Sequence, residues 1–130
     1  MNLPWRGEAV TEQVELAAFE MKVDPEKLIG YLLSDSHPLG QRKARHFRAL
    51  GFRAETPLEL EEALIVHARE NPLASREETQ FWSNYVVDGP FRDRRSPSGE
   101  PVELRSVWFV EAGAVVARFV TAYPIGRGRL

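Results

Sequence analysis

Residues 102–110 read VELRSVWFV and have the character of a β-strand. Successive side chains of a β-strand point to opposite faces, so a strand here places Arg105 on one face of a sheet and Ser106 on the other. An arginine in such an apolar strand requires a carboxylate, a phosphate or several carbonyl groups as partners. Arg105 is therefore either half of an ion pair, with Glu103 or Asp88, or an anion-binding group.

Two further segments with strand character flank this stretch. Residues 81–88 form the preceding strand, which we expect Gly89 and Pro90 to close. The following strand covers residues 114–123. Between the first two strands, residues 92–100 are rich in turn formers and predict a hairpin loop or a mobile flap.

The alternation in the last strand decides which of its side chains share a face. It places Thr121 and Tyr123 together with Phe119, and Arg118 on the opposite face. The hydroxyl and the phenol are suited to donate hydrogen bonds to phosphate oxygens while Arg105 supplies positive charge. The alternative is that Tyr123 packs its ring and that Thr121 has only the strand preference of a β-branched residue.

The first half of the chain has helical periodicity. Residues 24–34 begin with an Asp-Pro pair, residues 39–50 end at Gly51, and residues 56–70 begin with a capping-box pattern. Residues 8–22 fit either a helix or a strand. Helices followed by a strand meander predict an α+β fold, in which N-terminal helices pack on one face of a C-terminal antiparallel meander sheet.

The helix of residues 39–50 contains an ionisable residue on its apolar side. Ala44, Phe47 and Leu50 belong to the apolar stripe, Lys43 falls in the middle of that stripe, and His46 lies on its edge. Lysine is almost never fully buried unless it is paired. Lys43 therefore either extends its ammonium to solvent along apolar surface or faces a polar cavity, which would be a functional site.

Composition limits the classes of protein that the chain can belong to. A chain of 130 residues without cysteine fits one domain, residues 1–130, that folds without disulfides or a structural metal. No glycine-rich phosphate loop or paired-histidine signature is present, so we expect neither cofactor nor metal. No apolar run approaches the roughly 20 residues of a membrane span. The sequence thus predicts a cytoplasmic protein without a membrane partner.

The charge is unevenly distributed along the chain. The net charge is -2, which argues against general coating of nucleic acid, but residues 37–53 contain five arginine or lysine residues, two histidines and no acidic residue. Such a block is either a solvated helix face or a phosphate-binding face. Basic groups, hydroxyls and a histidine suit the attack of a ribose 2′-hydroxyl on its own phosphorus, which needs a base, an acid and cations but no metal.

Several segments resemble an uncharacterised bacterial domain family that occurs alone and at the C-termini of large polymorphic toxins. They read KLIGYLL (27–33), HPLG (37–40) followed by Lys43-Ala44 and by residues 47–52, YVVDGP (85–90), RSVW (105–108) and VTAYP (120–124). The resemblance covers about residues 25–124, which leaves residues 1–24 as an N-terminal extension and 125–130 as a loose tail.

The last strand, which ends Thr-x-Tyr-Pro, is similar to that of the barnase, EndoU, colicin and RelE superfamily of metal-independent ribonucleases. Those folds place helices before a four-stranded antiparallel sheet. The resemblance implies a catalytic set drawn from both halves of the chain: His37, Lys43, Arg105, Thr121 and Tyr123.

The predicted substrate-binding set consists of Ser106, which the resemblance implies, and of Arg42 and His46 from the basic segment 37–53. His46 stands where an aromatic residue is expected, so it either contacts substrate or replaces a core ring. Ser106 and Arg105 reach one site only where a bulge or a strand end intervenes, because the alternation puts them on opposite faces.

These features predict a ribonuclease-like toxin that cleaves RNA phosphodiesters without a metal and is neutralised by a cognate antitoxin or immunity protein. The rival is a non-enzymatic protein-binding module, such as the antitoxin or immunity partner itself. A third alternative is ADP-ribosyl or nucleotide chemistry on a similar scaffold. The discriminating observation is whether Lys43, His37, Arg105 and Thr121 line one cleft.

Overall fold

A computed structural model describes Leu16 and residues 18–28, 41–95 and 98–125. Within these ranges, the side chains of residues 41–43, 93 and 95 are outside the description. The chain forms three helices and five strands in the described part, here numbered in chain order: β1 (Glu20–Lys22), α1 (Pro25–Lys27), α2 (Gln41–Ala49), α3 (Pro57–Glu70), β2 (Leu73–Glu78), β3 (Trp82–Arg95), β4 (Pro101–Glu111) and β5 (Val116–Pro124).

The strands form one sheet in the order β1-β5-β4-β3-β2. The pairs β2–β3, β3–β4 and β4–β5 are antiparallel, and β1 runs parallel to β5. The predicted α+β fold is therefore confirmed, and the sheet is mixed only at the β1 edge. Residues 8–22, which fitted either element, end in a strand.

The helix boundaries follow from local chemistry. The side chain of Asp24 caps α1 by accepting a hydrogen bond from the Glu26 amide at 3.4 Å, and Pro25 occupies the first turn. The chain leaves α2 at Gly51, whose φ of 99° is a conformation that favours glycine. Thr56 precedes α3, but its side chain makes no capping hydrogen bond, so that part of the capping-box prediction is wrong.

The helices cover one face of the sheet, which we call the helical face. The buried Phe47 of α2 meets Phe91 of β3 edge to face at 6.4 Å, and Phe52 stacks on the same ring at 5.7 Å. Leu60 and Leu64 supply the buried side of α3. The other face of the sheet, here the open face, has only half-buried or exposed side chains along β4.

Two strand predictions are corrected by the structure. Residues 73–78, which were not expected to be a strand, form the edge strand β2. Gly89 and Pro90 do not close β3, which continues to Arg95. Phe91 is buried among the aromatic rings of the core, and the Arg94 guanidinium lies 4.1 Å from the centre of the Phe52 ring, so core contacts extend the strand past a proline.

Pro90 is tolerated because the ladder becomes irregular at that point. The β3–β4 register shifts between Pro90 and Arg95, where the missing amide hydrogen disturbs pairing least. Gly89 is needed because a Cβ there would lie 2.0 Å from Asn71 Oδ1.

Within the described ranges, no helix is long and apolar enough to cross a membrane.

Candidate functional site

The open face carries a group of polar side chains from three adjacent strands. Asp88 of β3 pairs in register with Arg105 of β4, and Arg105 pairs with Tyr123 of β5. Residues paired across antiparallel strands point to the same face, so these three side chains form a row across the sheet. Thr121 lies on the same face of β5, two residues before Tyr123, and pairs with Val107 of β4. We call these four residues the Arg105 cluster: Asp88, Arg105, Thr121 and Tyr123.

Arg105 is held by a two-pronged ion pair. Its Nε donates to Asp88 Oδ1 and its Nη2 donates to Asp88 Oδ2, both at 2.7 Å. Hydrogen bonds to Asp88 and then to Tyr123 raise the pKa of Arg105 above its ordinary value, so it stays positively charged. The ion-pair alternative for Arg105 is therefore correct, with Asp88 rather than Glu103 as its partner.

The ion pair leaves the cluster accessible to a ligand. The side chains of Arg105 and Asp88 are 37% and 26% exposed. A guanidinium has five N–H donors, and Asp88 and Tyr123 do not use all of them, so donors remain for a further anion. The cluster thus combines a carboxylate, a cation and two hydroxyls on a solvent-facing surface.

A bulge in β5 changes which residues join this face. Val107 pairs with Thr121 while Trp108 pairs with Phe119, which leaves Val120 as the extra residue. Beyond the bulge the alternation is inverted, so Phe119 is buried with Trp108 on the helical face. The prediction that Phe119 shares a face with Thr121 and Tyr123 is therefore wrong. Arg118, which was expected on the other face, is paired with Phe109 on the open face.

Ser106 belongs to a polar relay on the helical face and not to the Arg105 cluster. Its hydroxyl is fully buried, accepts a hydrogen bond from Trp108 Nε1 at 2.9 Å and lies 3.0 Å from His67 Nδ1. The β5 bulge starts beyond Val107 and leaves Ser106 facing inward. We therefore remove Ser106 from the substrate-binding set.

The second nitrogen of His67 fixes the direction of this relay. His67 Nε2 lies 2.9 Å from the carbonyl oxygen of Leu104 and 3.2 Å from that of Gly89. Carbonyls only accept, so Nε2 carries the proton and Nδ1 accepts from Ser106. Burial lowers the pKa of His67, and the bonds to the two carbonyls offset this only in part. The ring is therefore neutral and structural.

The remaining sequence candidates belong to the helical layer or lie outside the description. His46 of α2 is half-buried, with its ring 5.1 Å from that of Phe47, and burial lowers its pKa. Its Nε2 is buried and has no hydrogen-bond partner within the described part of the chain. This location fits the replacement of a core ring better than contact with a substrate on the open face.

His37 lies outside the described residues, as do the side chains of Arg42 and Lys43. The backbone of Arg42 and Lys43 is in α2, whose Phe47 packs on the helical face. This helix and the Arg105 cluster are therefore on opposite faces of the sheet. His37, Arg42 and Lys43 stay predictions, whereas Arg105, Thr121 and Tyr123 are brought together as expected.

Asp88 is the member of the cluster that was not predicted from the sequence as a site residue, but only as a possible ion-pair partner of Arg105. The sequence signal was its position at the end of the first predicted strand, but only the β3–β4 register shows that it faces Arg105. Within the described residues, no group of three or more histidine, aspartate or glutamate side chains could hold a metal ion.

The family of the chain follows from its sequence match over residues 15–126 to the family described as a domain of unknown function (DUF6883). The match covers most of the 130 residues, so the chain belongs to this family. Comparison with curated proteins and with solved structures gives no match.

Proposed function

We propose that the chain is a metal-independent ribonuclease, acting as a toxin, whose reaction takes place at the Arg105 cluster. The observation that carries this proposal is the row of Asp88, Arg105 and Tyr123 across three neighbouring strands, on the face opposite the described helices α2 and α3. It is also supported by the order of elements, because helices precede the four antiparallel strands β2–β5, as the ribonuclease resemblance implies.

Each member of the cluster has a role in this proposal. Asp88 accepts the proton of the ribose 2′-hydroxyl while the 2′-oxygen forms a bond to phosphorus. Arg105 and the hydroxyl of Thr121 stabilise the negative charge that develops on the phosphate oxygens. Tyr123 donates a proton to the 5′-oxygen of the leaving nucleotide while the bond between that oxygen and phosphorus breaks. The products are a 2′,3′-cyclic phosphate and a free 5′-hydroxyl.

The ion pair between Arg105 and Asp88 suits this division of roles. A phosphate that approaches Arg105 binds the guanidinium donors not used by Asp88, and it brings its neighbouring 2′-hydroxyl toward the carboxylate. A carboxylate without its arginine would repel the phosphate. Base and cation thus act as a unit.

The proposal includes a partner and a location. A ribonuclease that acts in the cytoplasm damages the cell that makes it, so a cognate antitoxin or immunity protein must neutralise it there. The toxin resemblance is the support for this partner.

The test uses the full chain under inducible expression in a bacterium and, purified, on a 5′-labelled single-stranded RNA with EDTA present. We expect growth arrest, RNA fragmentation and cyclic-phosphate ends. The matched control is a second two-pronged ion pair, in which Arg92 donates to both carboxylate oxygens of Glu70. Arg105→Gln should lower cleavage about 10²-fold and Arg92→Gln should leave it unchanged. Intact RNA at confirmed soluble expression would refute the ribonuclease proposal.

A non-enzymatic protein-binding module is the second candidate. The observation that favours it is the apolar part of the open face, where Val86 pairs with Val107 and the ring of Trp82 lies 5.9 Å from that of Phe109, all partly exposed. Stable protein interfaces have such apolar centres with polar rims. Intact RNA together with a bound partner that Val107→Glu releases would favour this candidate.

A further inference from the structure

A cavity of about 570 Å³ lies at the end of the sheet where the β2–β3 and β4–β5 turns meet. Its apolar lining includes Phe19, Tyr85, Trp82 and Val110. The volume is within the range of sites that accept small molecules or inserted side chains. Glu111, at the mouth, is six residues from Arg105 along β4, which corresponds to about 20 Å. The cavity is therefore separate from the Arg105 cluster.

Two large apolar side chains are exposed beside this cavity. Phe81 in the β2–β3 turn is 68% exposed, and Val115 in the β4–β5 turn is 72% exposed. The turns are joined by a hydrogen bond of 2.8 Å from the Ala112 amide to the Phe81 carbonyl. The Thr79 hydroxyl also accepts from the Phe81 and Trp82 amides at 3.1 Å. The exposed side chains are thus presented on a pre-ordered surface, which lowers the entropic cost of binding.

The charge around the cavity is negative. The two outermost rungs of the sheet at this end contain Glu20, Glu78 and Glu111, and their described residues include no lysine or arginine. Arg76, farther in, pairs with Glu78 at 2.9 Å and lies over the Tyr85 ring, so its charge is already compensated. Among the described residues that line the cavity, Glu111 therefore supplies the remaining charge, and Glu20 lies beside the cavity, where its amide donates to the Val115 carbonyl at 3.0 Å.

We propose that this end of the sheet docks a basic segment of a partner protein, which inserts an apolar side chain between Phe81 and Val115 into the cavity. The lysine or arginine residues of the segment contact Glu20 and Glu111. An RNA strand does not fit this surface because its phosphates carry the same sign as the rim. The interaction is independent of the ribonuclease proposal.

The test pans a phage-displayed library of random peptides against the full chain and measures affinities of the selected peptides by calorimetry. We expect the selected peptides to share an aromatic or aliphatic residue flanked by lysine or arginine. Phe81→Ala should weaken their binding about tenfold or more, as loss of an anchoring contact does. Glu111→Gln should weaken it about threefold and flatten its dependence on salt.

Two controls make the result specific. Leu58→Ala removes a side chain that is equally exposed, at 69%, but lies on α3, and it should leave peptide affinity unchanged. Arg105→Gln should also leave peptide affinity unchanged while it lowers RNA cleavage. Failure to select any peptide, selection of acidic peptides, or affinity unaffected by Phe81→Ala would each overturn the proposal.

Discussion

Arg105 and Ser106 are consecutive residues of β4, yet their environments differ completely. Ser106 faces the helices, is fully buried, and has both its donor and its acceptor roles filled by His67 and Trp108. Arg105 faces the open side, is 37% exposed, and has donors that Asp88 and Tyr123 do not use.

These two neighbours show how one strand can separate stability from function. A buried polar group that lacks a partner is costly, so the relay of His67, Ser106 and Trp108 must be complete to exist. A half-exposed ion pair contributes little to stability because solvent screens it. The open face can therefore change its partners at small cost, which a binding or catalytic surface requires.

The largest expected effect is on the open face. Asp88→Asn removes the proposed base while keeping the shape of the side chain, and we expect RNA cleavage to fall about 10³-fold, within the range for loss of a general base. The free energy of unfolding should change by no more than about 1 kcal/mol. Single-turnover cleavage and urea titration measure the two quantities.

Glu70→Gln is the control for this change, because it removes the carboxylate charge from a second two-pronged ion pair, between Glu70 of α3 and Arg92. It should leave cleavage unchanged. Equal losses of cleavage in both variants would mean that Asp88 acts through folding and would contradict its proposed role.

The next effect separates the cation from the hydroxyl within the cluster. Arg105→Gln and Thr121→Val should each lower cleavage about 10²-fold, which is typical for loss of one donor to a developing charge. The double variant should fold with a stability close to that of the parent. Cleavage that persists in the double variant would remove the open face from the mechanism and leave α2, which carries Lys43, to explain it.

The contrast between the two faces was only partly predictable from sequence. Alternation along β4 correctly separated Arg105 from Ser106, because a strand without an internal bulge keeps its period of two. The same rule failed in β5, where the bulge at Val120 inverts the alternation and moves Phe119 to the helical face. A bulge leaves no mark in the residue pattern here, since Phe119 and Val120 suit either face.

The partner of Arg105 shows a second limit. The sequence allowed Glu103, Asp88 or a bound anion, and the choice depended on strand register, which is a property of two strands rather than one. The end of β3 was mispredicted for a similar reason. Gly89 and Pro90 predict a stop by local chemistry, but the buried ring of Phe91 keeps the chain on the sheet.

On the helical face the expected effect is on stability. Ser106→Ala leaves His67 Nδ1 without its donor and Trp108 Nε1 without its acceptor, so we expect a loss of about 2 kcal/mol in the free energy of unfolding. Cleavage per folded molecule should be unchanged. The control Ser75→Ala alters an exposed serine of β2 and should cost less than about 0.5 kcal/mol.

The smallest effect is a dependence of stability on pH that belongs to the helical side. Burial lowers the pKa of both His67 and His46 in the folded chain, so below about pH 6.5 the unfolded chain binds more protons than the folded chain. The stabilisation is therefore fully present above about pH 6.5 and is lost as the pH falls. We expect the free energy of unfolding, measured by urea titration, to be lower at pH 5.5 than at pH 7.5.

Two variants assign this pH dependence to the helical face. His46→Phe removes one of the two groups and should keep the part that comes from His67, whose protonation would turn the acceptor Nδ1 into a donor facing Ser106. Arg105→Gln leaves both histidines buried and should keep most of the dependence, with a small decrease because the charge of Asp88, no longer compensated by Arg105, raises the pKa of His67. If His46→Phe made stability independent of pH over this range, the relay would not resist protonation. The distinction between a closed helical face and an adaptable open face would then lose its physical basis.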